Sequence, residues 1–173
     1  MLRIRLYVGD ITALKADAIV NAADPSLLGG GGVDGAIHKA AGSGLLEECR
    51  ILRRDRYKDG LPRGAAVVTG AYDLQAKYII HTVGPRFSID DPALLRSCYL
   101  HCLQAAEEHK AKSILFPAIS AGAYGFPIEF SAAAAKEVLE SYTPKHIREV
   151  GIVLHSKKDY DAFSIVLKHL LLH

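Results

Sequence analysis

From residue 2 the chain alternates, with Leu2, Ile4, Leu6 and Val8 set between Arg3, Arg5 and Tyr7. This is the period-two pattern of a strand with one buried face, expected near a sheet edge. Ala18 to Val20 is a short apolar run that reads as a buried strand. Asp24-Pro25-Ser26 reads as a turn, and a helix is expected to begin near Val33 or Asp34. From Ser43 to Arg54, Leu45, Leu46, Cys49 and Leu52 recur at helical spacing, and Asp55 to Arg63 follows as a polar loop. Ala65 to Gly70 and Lys77 to Val83 are strands, Asp91 to His109 is a helix starting near Pro92, and Ser113 to Pro117 is a buried strand. Ile128 to Tyr142 is an Ala-rich helix, Val150 to His155 the last strand and Asp159 to Leu172 the last helix. Strands alternating with helices, with no repeat or linker, predict an α/β layered fold.

At 173 residues the chain is expected to form a single domain, large enough to bury about 70% of the surface its unfolded form exposes. Half of the residues are hydrophobic, which excludes disorder, and a formal net charge of +2 gives no electrostatic footprint for nucleic acid. The local cluster Arg50, Arg53, Arg54 and Arg56 reads as a solvated helix end. Cys49, Cys98 and Cys102 are odd in number and complete no zinc set, so reduced thiols, a cytoplasmic location and no metal are expected. The N-terminus lacks a signal-peptide core. The longest uncharged run, Ser113 to Ile128, carries prolines and glycines, so no membrane span is expected.

The chemistry gathers in two glycine-rich segments. Gly29, Gly30, Gly31 and Gly32 precede the first helix, and no Lys or Arg occurs between Pro25 and Ala36. Four glycines give up backbone entropy, which makes sense where a ligand must approach the backbone closely. Main-chain N–H groups together with a helix N-terminus form a site for an anion such as a pyrophosphate. Ser120 to Gly125 is a second segment of small residues without Lys or Arg, and the two read as halves of one phosphate clamp. Gly30, Gly32 and Gly35 formally spell G-x-G-x-x-G, which suggests an NAD-binding Rossmann turn. In that pattern the glycines follow the strand at once, whereas about eight residues separate Val20 from Gly29 here. His81, a lone histidine among strand apolars, is read as a satisfied core residue without a role.

The block Ile19 to Gly42, with Gly9-Asp10-Ile11-Thr12, His81-Thr82-Val83-Gly84-Pro85 and Ile119 to Pro127 in the same order, resembles the macro domain family over nearly the whole chain. The likeness is to the branch of MacroD-type ADP-ribosyl hydrolases and bacterial O-acetyl-ADP-ribose deacetylases. It implies a three-layer α/β/α sandwich around a mixed sheet of about six strands. It also implies ADP-ribose as ligand, no cofactor, and partners that are ADP-ribosylated proteins or O-acetyl-ADP-ribose; the sequence leaves the oligomeric state open, with a monomer favoured. The carboxylate of Asp10 would accept from the adenine amino group and the Ile11 N–H would contact the ring, although Asp10 also fits a turn cap. Pyrophosphate would lie between Gly31, Gly32 and Val33 on one side and Ser120, Ala121, Gly122 and Ala123 on the other. Asn21 belongs to the same ligand-binding set. Tyr124 would pack on the distal ribose, and His155, with Tyr160 or Phe163 close behind, would stack on adenine.

By the same resemblance Asp34 orients or deprotonates a water that attacks the distal anomeric carbon or an acyl carbon, with Asp24 and Tyr124 completing the catalytic set. An N-cap role for Asp34 is compatible with this. The family pattern Asn-Ala-Ala-Asn reads Asn21-Ala22-Ala23-Asp24 here. An ionised Asp accepts hydrogen bonds but donates none. Ala121 and Ala123, where members often carry Thr and Val, are milder departures. Three functions are therefore expected to compete: hydrolysis of ester-linked ADP-ribose on Asp/Glu side chains or in O-acetyl-ADP-ribose, non-catalytic reading of ADP-ribose, and NAD-dependent oxidoreduction.

Overall fold

The computed structural model describes residues 2–171. Its strands are β1 (Arg3–Val8), β2 (Ala18–Ala22), β3 (Ala66–Gly70), β4 (Tyr78–Thr82), β5 (Ser113–Pro117) and β6 (Glu149–Leu154). Its α-helices are α1 (Gly32–Ala41), α2 (Ser43–Asp55), α3 (Ala93–Glu108), α4 (Ile128–Ser141) and α5 (Lys157–Leu167), and a 3-10 turn covers Ile11–Ala13. The strands form one mixed sheet in the order β1-β6-β5-β2-β4-β3, in which every neighbouring pair is parallel except β3 with β4.

Period-two alternation divides the core between the two faces of this sheet. Ala18, Val20, Ile80, Ile114, Phe116 and Ile152 face α3, α4 and α5, where they meet Leu103, Ala135 and Phe163. Ile19, Ile79, Leu115 and Val153 face α1 and α2, against Ile37, Leu45 and Cys49. Both faces of the central strands are thus covered, which is why these strands read as continuous apolar runs. The result is the expected α/β/α sandwich with a six-stranded mixed sheet.

Departures from the sequence reading lie at edges and ends. β1 is an edge strand, as expected, but only Ile4 is fully buried and Val8 is 50% exposed, because β1 has a single strand neighbour. Helix α5 begins at Lys157, where the Ser156 hydroxyl accepts the Asp159 N–H at 3.2 Å. It ends at Leu167, and Leu171 bridges Ile4, so the chain returns to cover the β1 edge; Leu172 lies outside the described residues. The turn for which Asp10 fits as a cap is a 3-10 turn over Ile11–Ala13, with Asp10 at its N-cap. The three cysteines are buried and unpaired, and among the described residues no helix is long and apolar enough to cross a membrane.

A buried polar knot ties the β5–α4 loop to the helices beneath it. Tyr99 on α3 accepts the Ile119 N–H at 3.2 Å and lies 2.7 Å from the Ser131 hydroxyl, which itself donates to the Ile119 carbonyl at 2.7 Å. Since the Ser131 proton is already committed, Tyr99 donates to Ser131. Burial pushes the Tyr99 phenol well above its ordinary pKa, so it stays a donor. Tyr99→Phe leaves the buried Ile119 N–H without an acceptor and is expected to cost about 1–3 kcal/mol. Urea unfolding measures this, and an unchanged midpoint would contradict the assignment.

Candidate functional site

Strands β2, β5 and β6 run parallel, so their carboxyl ends open on one edge of the sheet, the usual place for a ligand in such folds. The segments that follow β2, β5 and β6 there line a cleft of about 430 Å3. Its walls carry Asp24, Gly31, Gly32, Val33 and Asp34 from the first loop and helix, and Ser120, Ala121, Gly122, Ala123 and Tyr124 from the second loop, with His155 at the end of β6. The structure thus brings together eleven of the residues singled out from the sequence. Asn21, Ile11 and Asp10 are not on the wall. Asn21 is fully buried behind Asp34, and Ile11 belongs to the core under α1. Tyr160 and Phe163 pack with the core on the α3–α5 face, so that of these three rings His155 is the one at the cleft.

Asp10 caps the 3-10 turn, where its Oδ1 accepts from the Thr12 N–H at 2.9 Å and the Thr12 hydroxyl at 2.7 Å. These two bonds hold its carboxyl below the usual pKa, with a smaller contribution from His155. Oδ2 has no partner among the described residues and remains free to accept.

The glycines leave room for a ligand's approach. A Cβ built on Gly31, Gly32 or Gly122 meets nothing within 4 Å, whereas on Gly35 it would lie 2.5 Å from the Gly30 carbonyl oxygen. Gly35 therefore lets α1 press on the loop, a packing duty that accounts for the third glycine of the formal dinucleotide pattern. The helix starts one to two residues earlier than expected, at Gly32 with φ 57, a conformation that favours glycine. The first α1 N–H with an intrahelical acceptor is that of Gly35, which bonds Gly31 O at 3.3 Å. Those of Gly32, Val33 and Asp34 precede it and open the helix N-terminus. Among the described residues the N–H groups of Gly122, Ala123 and Tyr124 also lack an acceptor. Among the described residues no Lys or Arg lines the cleft, and its carboxyl side chains are Asp24, Asp34 and Asp159. Attraction for an anion there comes from main-chain dipoles alone.

Asp34 sits in the first turn of α1 but is not its N-cap; that place belongs to Gly31 and has no side-chain bond. The carboxylate instead reaches back to β2. Its Oδ1 accepts from Asn21 Nδ2 at 2.9 Å, and Oδ2 accepts the Asp24 N–H at 3.0 Å. His38, one turn along α1, places Nε2 3.5 Å from Oδ1. A Cβ on Gly30 would stand 3.2 Å from Oδ2, so any side chain there crowds the carboxylate. Asp24 contributes its main chain to Asp34, while its exposed side chain closes a turn by accepting the Ser26 N–H at 2.9 Å.

The second loop is locked from outside the cleft. Ser120, with φ 64, donates to the Pro85 carbonyl at 2.8 Å. A Cβ on Gly84 would fall 2.1 Å from Ser120 Oγ, which accounts for the glycine in His81-Thr82-Val83-Gly84-Pro85. Tyr124 is faced by the Arg63 guanidinium, 5.0 Å from its ring centre, while Arg63 also donates to Gly84 O at 2.7 Å.

Sequence reasoning passed over His38 and Asp159. The i,i+4 spacing from Asp34 could have found the first, and the Ser156-x-x-Asp159 cap pattern the second. In the arginine cluster, Arg50, Arg54 and Arg56 are solvated as expected. Arg53 differs, because it donates to Ser26 O at 3.0 Å and Tyr57 O at 2.9 Å and so ties the first loop to α2.

His81 is satisfied in the core, bonded to Thr69 Oγ1 at 2.9 Å and to Asn21 Nδ2 at 3.1 Å. Burial, with His38 nearby, lowers its pKa from 6.5 to about 3. The unfolded chain therefore binds a proton that the folded chain refuses between these values. The corresponding stability is present above about pH 6.5 and is lost as pH falls toward about 3, at about 1.4 kcal/mol per pH unit for one proton. Urea unfolding between about pH 6 and 4 should show this slope, reduced by about one proton in His81→Gln; equal slopes would contradict the assignment.

A family model described as Macro domain matches residues 20–135. An O-acetyl-ADP-ribose deacetylase 1 from Pantoea vagans is 45% identical over 94% of this chain and 97% of its own. ADP-ribose glycohydrolase MACROD1 from Mus musculus is 47% identical over 96% of this chain and 52% of its own. Among solved structures, the Oceanobacillus iheyensis macrodomain with ADP superposes with a TM-score of 0.91 at 42% identity, covering 95% of this chain and 90% of that one. With the six-stranded sandwich and the cleft between two glycine loops, these likenesses establish that the chain belongs to the macro domain family.

Proposed function

We propose that the cleft binds ADP-ribose and that the chain hydrolyses ester-linked ADP-ribose, on modified Asp or Glu side chains or in O-acetyl-ADP-ribose. The observation that carries this reading is Asp34, a carboxylate 3% exposed on the cleft wall and held by donors on both oxygens. The diphosphate rests on the free N–H groups of Gly32 and Val33 and of Gly122 and Ala123. Adenine is directed toward His155 with Asp10 beside it, and the distal ribose toward Asp34 and Tyr124. The names of the deacetylase and glycohydrolase relatives support the same chemistry.

A carboxylate has about four lone-pair sites, and the two bonds it accepts leave others for water. That water attacks the anomeric or acyl carbon as its proton passes toward Asp34. The carbon–oxygen ester bond breaks, the electron pair leaves with the departing oxygen, and the products are a carboxylic acid and a sugar hydroxyl. Proximity and base catalysis supply the rate.

A second reading, an ADP-ribose reader without turnover, is favoured by Asp24, an acceptor-only side chain with Oδ2 engaged by the Ser26 N–H. Release of ADP-ribose from a Glu-linked mono-ADP-ribosylated protein separates the two. Multiple turnover is expected for the parent, a loss of about 10²- to 10⁴-fold in Asp34→Ala, and activity in Asp24→Asn at or above the parent's. A parent no faster than Asp34→Ala would remove the hydrolase reading, and activity confined to Asp24→Asn would establish the reader.

A further inference from the structure

We infer that His81, fixed by Thr69, is a positioning residue for Asp34 that acts by holding the amide of Asn21 in one orientation. The inference rests on the hydrolase reading of the cleft and adds to it a residue that touches no ligand.

The parallel register of β2 on β4 sets Asn21 directly beside His81. Both are fully buried, on the sheet face that packs under α1. Nδ2 of Asn21 has two hydrogens and two neighbours, Asp34 Oδ1 at 2.9 Å and His81 Nδ1 at 3.1 Å. An amide nitrogen only donates, so Nδ1 must be the bare nitrogen of the ring and the proton must sit on Nε2. Thr69 Oγ1 lies 2.9 Å from Nε2, and its own hydroxyl donates to the Gly70 carbonyl at 3.0 Å. Thr69 therefore accepts the Nε2 proton, and the donors run outward from the Asn21 amide, to Asp34 on α1 and through His81 on β4 to Thr69 on β3. The lowered pKa of His81 keeps the ring neutral, as this polarity requires.

Turning the Asn21 amide over would set its oxygen against Asp34 Oδ1 and against the bare Nδ1, three acceptors without a hydrogen. The cost of the observed orientation is visible in Asn21 Oδ1, which is buried with no hydrogen-bond partner among the described residues. A buried acceptor left without a partner is costly, so the orientation is imposed by its neighbours. The arrangement leaves Asp34 with a side-chain donor on Oδ1 and the Asp24 N–H on Oδ2, and so fixes the plane of the carboxylate against the cleft.

Thr69 is the place to test this, because it touches neither Asp34 nor the cleft wall. Thr69→Val keeps the shape but removes the acceptor of Nε2–H, which frees the ring to carry its proton on Nδ1, where it opposes the Asn21 Nδ2 donor and displaces the amide. Thr69→Ser keeps the acceptor. On the ester substrate, Thr69→Val is expected to lower kcat roughly tenfold with KM nearly unchanged, and Thr69→Ser to restore it. Unchanged kcat in Thr69→Val, or a rise in KM alone, would overturn the proposal. Nitrogen-15 NMR of the His81 ring and the Asn21 side-chain amide reads the same polarity without turnover. Nδ1 is expected to be unprotonated in the parent and in Thr69→Ser, with the Asn21 amide resonances displaced in Thr69→Val. A parent that releases no ADP-ribose but shows this signature refutes the hydrolase reading and leaves the amide orientation supported; a ring protonated on Nδ1 in the parent refutes the positioning itself.

Discussion

A carboxylate withdrawn from water must be met by donors, and the fold meets that demand for Asp34 with one side chain and one main-chain N–H, each drawn from the strand–loop unit that precedes its own helix. Much of the local architecture follows from those two bonds. Asn21 must stand at the end of β2 with its amide turned toward α1, which the register of β2 on β4 and His81 together secure. The loop must bring the Asp24 N–H back over the helix, so it needs the Asp24–Ser26 turn, the Arg53 bonds beneath it, and glycine at 30 and 35 where helix and loop touch.

The second constraint is an anion site without a cation. Three carboxylates line the cleft and no Lys or Arg does, so the field that favours phosphate comes from main-chain N–H groups at the start of α1 and in the 120–125 loop. Such dipoles act only if they are held in place before the ligand arrives. That explains why the second loop is gripped on every side, by Ser120 on Pro85, by Tyr99 and Ser131 on Ile119, and by Arg63 on Tyr124. Glycine at 84 belongs to the same scheme, since it alone lets β4's following turn approach Ser120.

How legible this was in the sequence varied with the range of the interaction. β5 was read to the residue, because an apolar run ending at a proline states both its class and its limit. The layering and the two glycine loops were also legible, since periodicity and backbone freedom are local properties. The turn capped by Asp10 was legible as a turn but not as a 3-10 helix, because three residues carry no period, and α1 was set late because glycines at its start mask a helix. Asp34 does stand on the cleft wall, but the capping role read for it is not observed, as its partners lie 13 and 10 residues upstream. His81 was read as a satisfied core residue, and so it is; that its partner also holds Asp34 depends on strand register, which no local pattern encodes. Arg53 differs from its three neighbours for the same reason.

The central claim is that two loops of backbone N–H groups, with no cationic side chain, hold the diphosphate of the ligand. Amide NMR during titration with ADP-ribose tests it most directly. The account predicts the largest shifts at Gly32, Val33, Gly122, Ala123 and Tyr124, with Arg50, Arg54 and Arg56 unmoved. Shifts centred on those arginines, or absent from both loops at saturation, would contradict it.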